Sequence, residues 1–397
     1  MGNELKVAGF RFATTAAGLK KSGKPDMALI VSDVPATAAG VFTTNKVVAA
    51  PVVLTRPRIA SGRCQAILVN AGNANACTGA PGLADARQCG DLAATALGLD
   101  PELVAVSSTG VIGHRLDVNK FVAAMPHLVA GLDADQASAV ASAIMTTDAF
   151  PKMVAAYGCA DGRDYTLLAV AKGAGMIHPN MATMLAFVVT DADLSPEFAD
   201  QALRCAVDGS FNRITVDRDT STNDMVLLLA NGQARTPCIE AESDAGEEFG
   251  RLLDEILLDL AKMIVRDGEG ATKLVRILVR GARSDADARA AAMSVATSSL
   301  VKTALFGEDA NWGRIIAAVG YSGAEVDPDL VDIFAGDVML VKAGLGTGPE
   351  LEAVATEVMR LPEFTLTVDL HLGTGTSDYY TSDLTYDYVK INADYRS

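Results

Sequence analysis

A chain of 397 residues, half of them apolar, carries enough hydrophobic material for two domains or one large composite domain. Its net charge of −16, with acids spread along the chain and no basic tract, argues against nucleic acid and anionic membranes as partners. A small anionic substrate stays open, because a pocket needs only one or two local cations. No apolar stretch approaches the roughly 18 residues of a membrane span, and the N-terminus MGNELKVAGF shows neither a leader pattern nor a myristoylation signal.

In chain order, MALIVSD (27–33), PVVLT (51–55) and QAILVN (65–70) read as strands, and DARQCGDLAATALG (85–98) as a helix stopped by Gly98. LVAVSST (103–109) reads as a strand running into TGVIG, and YTLLAVAK (165–172) as another. TMLAFVVTD (183–191) follows as a strand that would open on Thr183. LSPEFADQALRCAVDGSF is a helix with Ser195 as N-cap and Pro196 in its first turn. The clearest helix is FGRLLDEILLDLAKMIVRDG, whose Phe249, Leu252, Leu253, Ile256, Leu257, Leu260 and Ile264 make one apolar stripe. TKLVRILVR (272–280) reads as a strand, SDADARAAAMSVATSSLVKTAL as one helix, and the C-terminal stretch as a hairpin or meander turning near Gly373–Ser377. Helix and strand intermixed over the whole length predict a layered α/β or α+β fold.

The six cysteines (Cys64, Cys77, Cys89, Cys159, Cys205, Cys238) form no C-x-x-C pair and read as reduced core thiols of a cytoplasmic protein. The four histidines (His114, His127, His178, His371) have no metal-ligand spacing, so no metal is expected. Several segments spend glycine and polar residues where a plain core would not: NAGNANACTG (70–79), SSTGVIG (107–113), TTDAFPK (146–152), KGAGMIHPNMATML (172–185), DRDTSTND (217–224), RDGEGATK (266–273) and GEDANWGR (307–314). Each alone is explained by turn chemistry. DRDTSTND lacks the spaced Gly and terminal Glu of a calcium loop, and TGVIG lacks the pattern of a phosphate cradle.

Taken together and in order, these segments resemble the motifs of the bifunctional ornithine acetyltransferase/glutamate N-acetyltransferase family of arginine biosynthesis. ATAAGVFTTN (36–45) and the terminal KINADYRS extend the likeness over the whole length. The resemblance implies a layered helix/sheet sandwich of the N-terminal-nucleophile type. It also implies a precursor that cuts itself between Ala182 and Thr183 into chains 1–182 and 183–397, which share one composite fold. Physically, the Thr183 hydroxyl attacks the Ala182 carbonyl, the small Ala182 leaves that carbonyl accessible, and Pro179 keeps the approach out of a helix. The new α-amino group then serves as base for its own hydroxyl.

Carried over residue by residue, Thr183 is the nucleophile, and Thr109 and Gly110 form the oxyanion hole. Lys172, Thr146, Glu269, Asn392 and Ser397 contact substrate, with Glu269 facing the ornithine ammonium. The chain has Ala149 where the family commonly continues TTDT, so the binding threonine is Thr146 or, in second place, Thr147. The implied cycle passes acetyl from N2-acetylornithine to glutamate through Thr183 in an α2β2 heterotetramer, with no cofactor and with acetyl-CoA open as a second donor. Two other readings compete: a self-processed aminopeptidase or amidase that passes the acyl group to water, and a catalytically dead binding protein. Lys172, Glu269 and the tail motif favour a polar amino-acid acceptor over water, and nothing in the sequence supports the binding protein.

Overall fold

The computed structural model describes residues 6–178 and 184–394. In chain order its elements are β1 (Phe10–Thr15), β2 (Met27–Phe42), α1 (Ala50–Ile59), β3 (Arg63–Asn73), α2 (Gly79–Leu97), β4 (Val104–Val111), α3 (Val118–Ala130), α4 (Ala137–Ala143), β5 (Lys152–Ala160), β6 (Arg163–Lys172), β7 (Leu185–Thr190), α5 (Pro196–Gly209), β8 (Ile214–Thr215), β9 (Met225–Ala230) and α6 (Asp244–Arg266). There follow β10 (Leu274–Ala282), α7 (Asp285–Thr297), α8 (Ser299–Phe306), α9 (Trp312–Gly320), β11 (Asp332–Ala335), β12 (Val338–Lys342), β13 (Leu345–Gly346), α10 (Pro349–Met359), β14 (Glu363–Asp369), β15 (Gly375–Ser382) and α11 (Tyr386–Asp394). The fold is the layered mixture of helix and sheet that the alternation of elements predicts.

Two sheets organise it. The first runs β4–β3–β2–β9–β7–β6–β5, with β1 also paired to β2; the second runs β13–β12–β11–β14–β10–β15–β8. The long strand β2 changes partners along its length: Met27–Val31 pair with β3, and Thr37–Phe42 with β9. The register shifts between Val31 and Ala36, where Pro35 has no N–H to give a ladder. Ile30, Ile67 and Val69 from one half then pack in a common core with Leu168, Val170, Phe187 and Leu227 from the other. The outer face of β6, β7 and β9 is covered by α5 and α6, whose stripe Phe249–Ile264 lies fully inside. Strands on both sides of residue 183 belong to this one sheet: β6 pairs antiparallel with β7, and β7 parallel with β9.

Four expectations are corrected. PVVLT is not a strand but the body of α1: Pro51 sits in its first turn, where a missing N–H costs nothing, and Val52, Thr55 and Ile59 face inward together. A five-residue apolar run does not by itself separate helix from strand. The segment 284–305 is two helices, because Ser298 ends α7 in an extended conformation and caps α8 through Val301 N–H. The C-terminal strands β14 and β15 are not a hairpin; β10 inserts between them, parallel to β14 and antiparallel to β15, and the chain ends in helix α11. Only Cys64 and Cys89 are core thiols, whereas Cys77, Cys159, Cys205 and Cys238 are exposed; all six are free. Among the described residues no helix is long and apolar enough to cross a membrane.

Candidate active site

Strand ends converge on one place. Lys172 is the last residue of β6 and stands opposite Leu185, the first of β7. Its side chain is buried, and Nζ donates to Thr146 Oγ1 at 2.9 Å and to Thr109 Oγ1 at 3.3 Å. Three of the sequence candidates, distant in the chain, are thus one hydrogen-bonded group, and it is Thr146 rather than Thr147 whose hydroxyl meets the lysine. Gly110 follows Thr109 at φ +131°, and a Cβ there would lie 2.3 Å from the Gly72 carbonyl carbon, so only glycine fits between the two strands. Burial pulls the Lys172 ammonium below its ordinary pKa, while Asp148, Asp224 and Glu269 oppose the fall and Lys152 adds to it.

A second pair lies close by. Asn392, on α11, donates to Glu269 Oε2 at 2.8 Å, and Glu269 N–H bonds the Ala174 carbonyl at 3.0 Å. A Cβ on Gly175 would fall 2.5 Å from the Glu269 carboxyl, so the glycine of KGAG is what admits the carboxylate. The Lys172 and Glu269 groups are therefore joined through the backbone of residues 172–175. Pro179, Ala182, Thr183 and Ser397 lie outside the described residues.

Beneath the hydroxyl group lies a set of residues that sequence reasoning missed. Lys152 is fully buried, with Nζ 2.8 Å from Asp148 Oδ1 and 2.5 Å from Asp267 Oδ2. Asp148 also accepts Gly173 N–H at 2.7 Å and Thr146 N–H at 2.9 Å, and Asp267 accepts Ala149 N–H. Burial alone would raise the Asp148 carboxyl; Lys172 and Lys152 overcome it and hold the group well below the usual carboxylate range. The one available signal was the i, i+4 spacing of Asp148 and Lys152 inside TTDAFPK.

Two further groups hold residues 176–178. Asp217 takes Met176 N–H at 2.6 Å and Ile177 N–H at 2.8 Å, and burial pushes its carboxyl up to about 6. His178 lies 3.4 Å from Thr215 Oγ1, and burial together with Arg218 pushes its imidazole down to about 4.

A buried cation set against hydroxyls at converging strand ends, beside a glycine held in the left-handed region, equips a layered α/β enzyme for acyl transfer. The sequence pattern of the ArgJ family matches residues 11–397. The arginine biosynthesis bifunctional protein ArgJ of Syntrophotalea carbinolica is 64% identical over 393 residues, covering 99% of this chain and 100% of that one. The protein of the same name from Geobacter sulfurreducens is 57% identical, again covering 99% and 100%. The crystal structure of the bifunctional ArgJ protein of Bacillus halodurans aligns with a TM-score of 0.51 and 45% identity, over 53% of this chain and 98% of that one. The chain belongs to the ArgJ family and is an acetyltransferase of arginine biosynthesis.

Two outcomes follow from this geometry. Lys152→Met leaves Asp148 and Asp267 buried without their shared cation, a loss on the order of 3–5 kcal/mol. It should lower the melting temperature and weaken substrate binding; an unchanged melt would show that the ion pairs support nothing. His178 stays neutral in the folded chain down to about pH 4, whereas an unfolded histidine charges near pH 6.5, so between those values the unfolded state binds more protons. Its contribution to stability is present above about pH 6.5 and lost as the pH falls toward 4. In thermal melts across that window, His178→Asn should show a shallower decline than the parent chain.

Proposed function

We propose that this enzyme moves the acetyl group of N2-acetylornithine to glutamate by a ping-pong cycle, through an acetyl ester on Thr183 freed by self-cleavage after Ala182. The observation that carries the reading is the buried Lys172–Thr146–Thr109 group at the head of the strand that begins two residues after Thr183. Thr183 attacks the acetyl carbon, and Thr109 with Gly110 steadies the developing oxyanion, a contribution of typically a few kcal/mol. Lys172, in its desolvated position, holds the substrate carboxylate and keeps the neighbouring α-amine low enough to act as base. Glu269 receives the ornithine side-chain ammonium; Asn392 already orients its carboxylate, and Ser397 is a further substrate contact. Ornithine leaves, glutamate enters, and the acetyl group passes to its amine.

The cut gives chains 1–182 and 183–397. They stay together because β6 and β7 are hydrogen-bonded neighbours on either side of it, and two copies form an α2β2 assembly. The Bacillus halodurans chain, matching 53% of this one over 98% of its own length, agrees in size with one cut product. No cofactor takes part. Acetyl-CoA is the second donor to be tested beside acetylornithine, and the enzyme works in the cytoplasm, where its exposed thiols stay reduced.

Denaturing gels with N-terminal sequencing should show a species beginning Thr-Met-Leu-Ala. Thr183→Ala should abolish both the cut and the transfer, while Thr183→Ser keeps part of each. An active enzyme that remains one intact chain would defeat the reading, and acetylglutamate formed from glutamate and acetyl-CoA alone tests the second donor. Glu269→Gln leaves the ornithine ammonium unpaired, at a cost on the order of 2–5 kcal/mol. The Michaelis constant for acetylornithine should rise steeply while self-cleavage proceeds normally; normal use of acetylornithine would remove Glu269 from the site.

A further inference from the structure

The loop between β1 and β2 carries a cation to which the acetyl cycle gives no task. Asp26, completely buried, gathers this loop: its carboxylate accepts the N–H groups of Ala17 at 2.7 Å, Leu19 at 2.5 Å and Lys20 at 2.8 Å. The loop lies on Gly72, where a Cβ would meet the Leu19 carbonyl oxygen at 3.0 Å and Lys20 Cγ at 3.3 Å. Gly72 in turn pairs with Gly110 across β3 and β4. Lys20 therefore stands one backbone away from the glycine that follows Thr109. Its ammonium reaches the Ala143 carbonyl at 2.8 Å and the Pro25 carbonyl at 3.0 Å. Ala143 ends α4, three residues before Thr146, whose hydroxyl meets Lys172. Lys20 thus approaches the segments of both hydroxyl partners of Lys172, and Asp148 and Lys172 are among the charges that act on it.

Lys21 and Lys24 in the same loop are exposed, whereas Lys20 is half-buried. An ammonium has three donors. Two of those on Lys20 go to carbonyls, and among the described residues no carboxylate lies within ion-pair distance of it. Capping the last turn of α4 engages part of the charge, but the third donor stays open toward a ligand. The exchange of substrates supplies an anion of the right kind. Glu269, which takes the ornithine ammonium in the proposed cycle, would repel the side-chain carboxylate of glutamate in the same place. Lys172 serves the carboxylate that both substrates share, so the second carboxylate of glutamate needs another cation. We infer that Lys20 receives the side-chain carboxylate of glutamate and so selects the acceptor. The inference rests on the reading of the enzyme as an acetylornithine–glutamate transferase. Glu269 is joined to Lys172 through residues 172–175, and Lys20 through the segments of Thr109 and Thr146. Donor and acceptor side chains are therefore held by different elements, and one pocket accommodates opposite charges in turn.

The test measures kcat/KM of the full enzyme for acetylornithine, for glutamate and for glutamine as acceptor. Glutamine has the shape of glutamate without its side-chain charge. In a ping-pong cycle kcat/KM for the donor reports the first half-reaction alone, and kcat/KM for the acceptor the second. Lys20→Gln keeps a donor for the Ala143 carbonyl and removes the charge. It should lower kcat/KM for glutamate by about 10-fold or more, and the preference for glutamate over glutamine by a similar factor. The value for acetylornithine should move by less than about two-fold. Lys20→Arg should keep most of the preference. A structural role would weaken glutamate and glutamine alike, so their ratio decides the matter even where the variant is less stable. A ratio within about two-fold of the parent overturns the inference, as does an equal loss for donor and acceptor. A parent enzyme that takes glutamine as readily as glutamate overturns it with no variant needed. A parent that makes no acetylglutamate from acetylornithine and glutamate overturns the reading of the cycle and this inference with it. An active parent beside a Lys20→Gln enzyme of unchanged acceptor preference overturns this inference alone.

Discussion

One buried ammonium, that of Lys152, ties together the parts on which the site depends. Isolated, such a charge has no place in a protein interior. Here it rests between Asp148 and Asp267, and each carboxylate spends its remaining acceptors on backbone N–H groups of the neighbouring loops. The segment holding Thr146, the end of β6 with Lys172, and the loop leading to Glu269 are fixed to one another by this arrangement. Buried ion pairs seldom stabilise a fold relative to good apolar packing. What this one provides is geometry, since an ion pair with directional hydrogen bonds tolerates far less sliding than a cluster of methyl groups.

The same economy governs charge at the site. In a chain of net charge −16 a cation at the site has to be shielded from the chain's own acids. Lys172 is buried and set against hydroxyls. Burial lowers its pKa, and Asp148 counters that loss from below. Asp148 therefore has two tasks, holding the Thr146 and Gly173 backbone and sustaining the charge of the lysine beside it.

Glycine matters where chains crowd. Gly110 lies against the Gly72 backbone and Gly175 against the Glu269 carboxyl, and neither space admits a Cβ. Pro35 has the complementary effect on β2, interrupting the ladder where one strand leaves β3 and takes up β9. That change of partner lets the two halves of the sheet close over one core and brings the ends of β4 and β6 together.

The sequence by itself determined the local elements whose signals are periodic or capped: α5 behind Ser195, the apolar stripe of α6, and the strands at 65–70, 103–109 and 165–172. It also determined family membership, because the order of the motifs does not depend on shape. Glycine-rich segments announced that something other than a core lay at 70–79, 107–113 and 172–185. Only the tertiary structure decided that 51–55 is helical, that β10 parts β14 from β15, and which cysteines face outward. It alone brought Lys152 to Asp267, 115 residues away, and Asp224 to Met184, 40 residues away. The reason is physical. Periodicity, caps and turns are written within a few residues of one another, whereas the charge pairing and burial that set the character of Lys172, Asp148 and Asp224 exist only once distant segments share the same dry space.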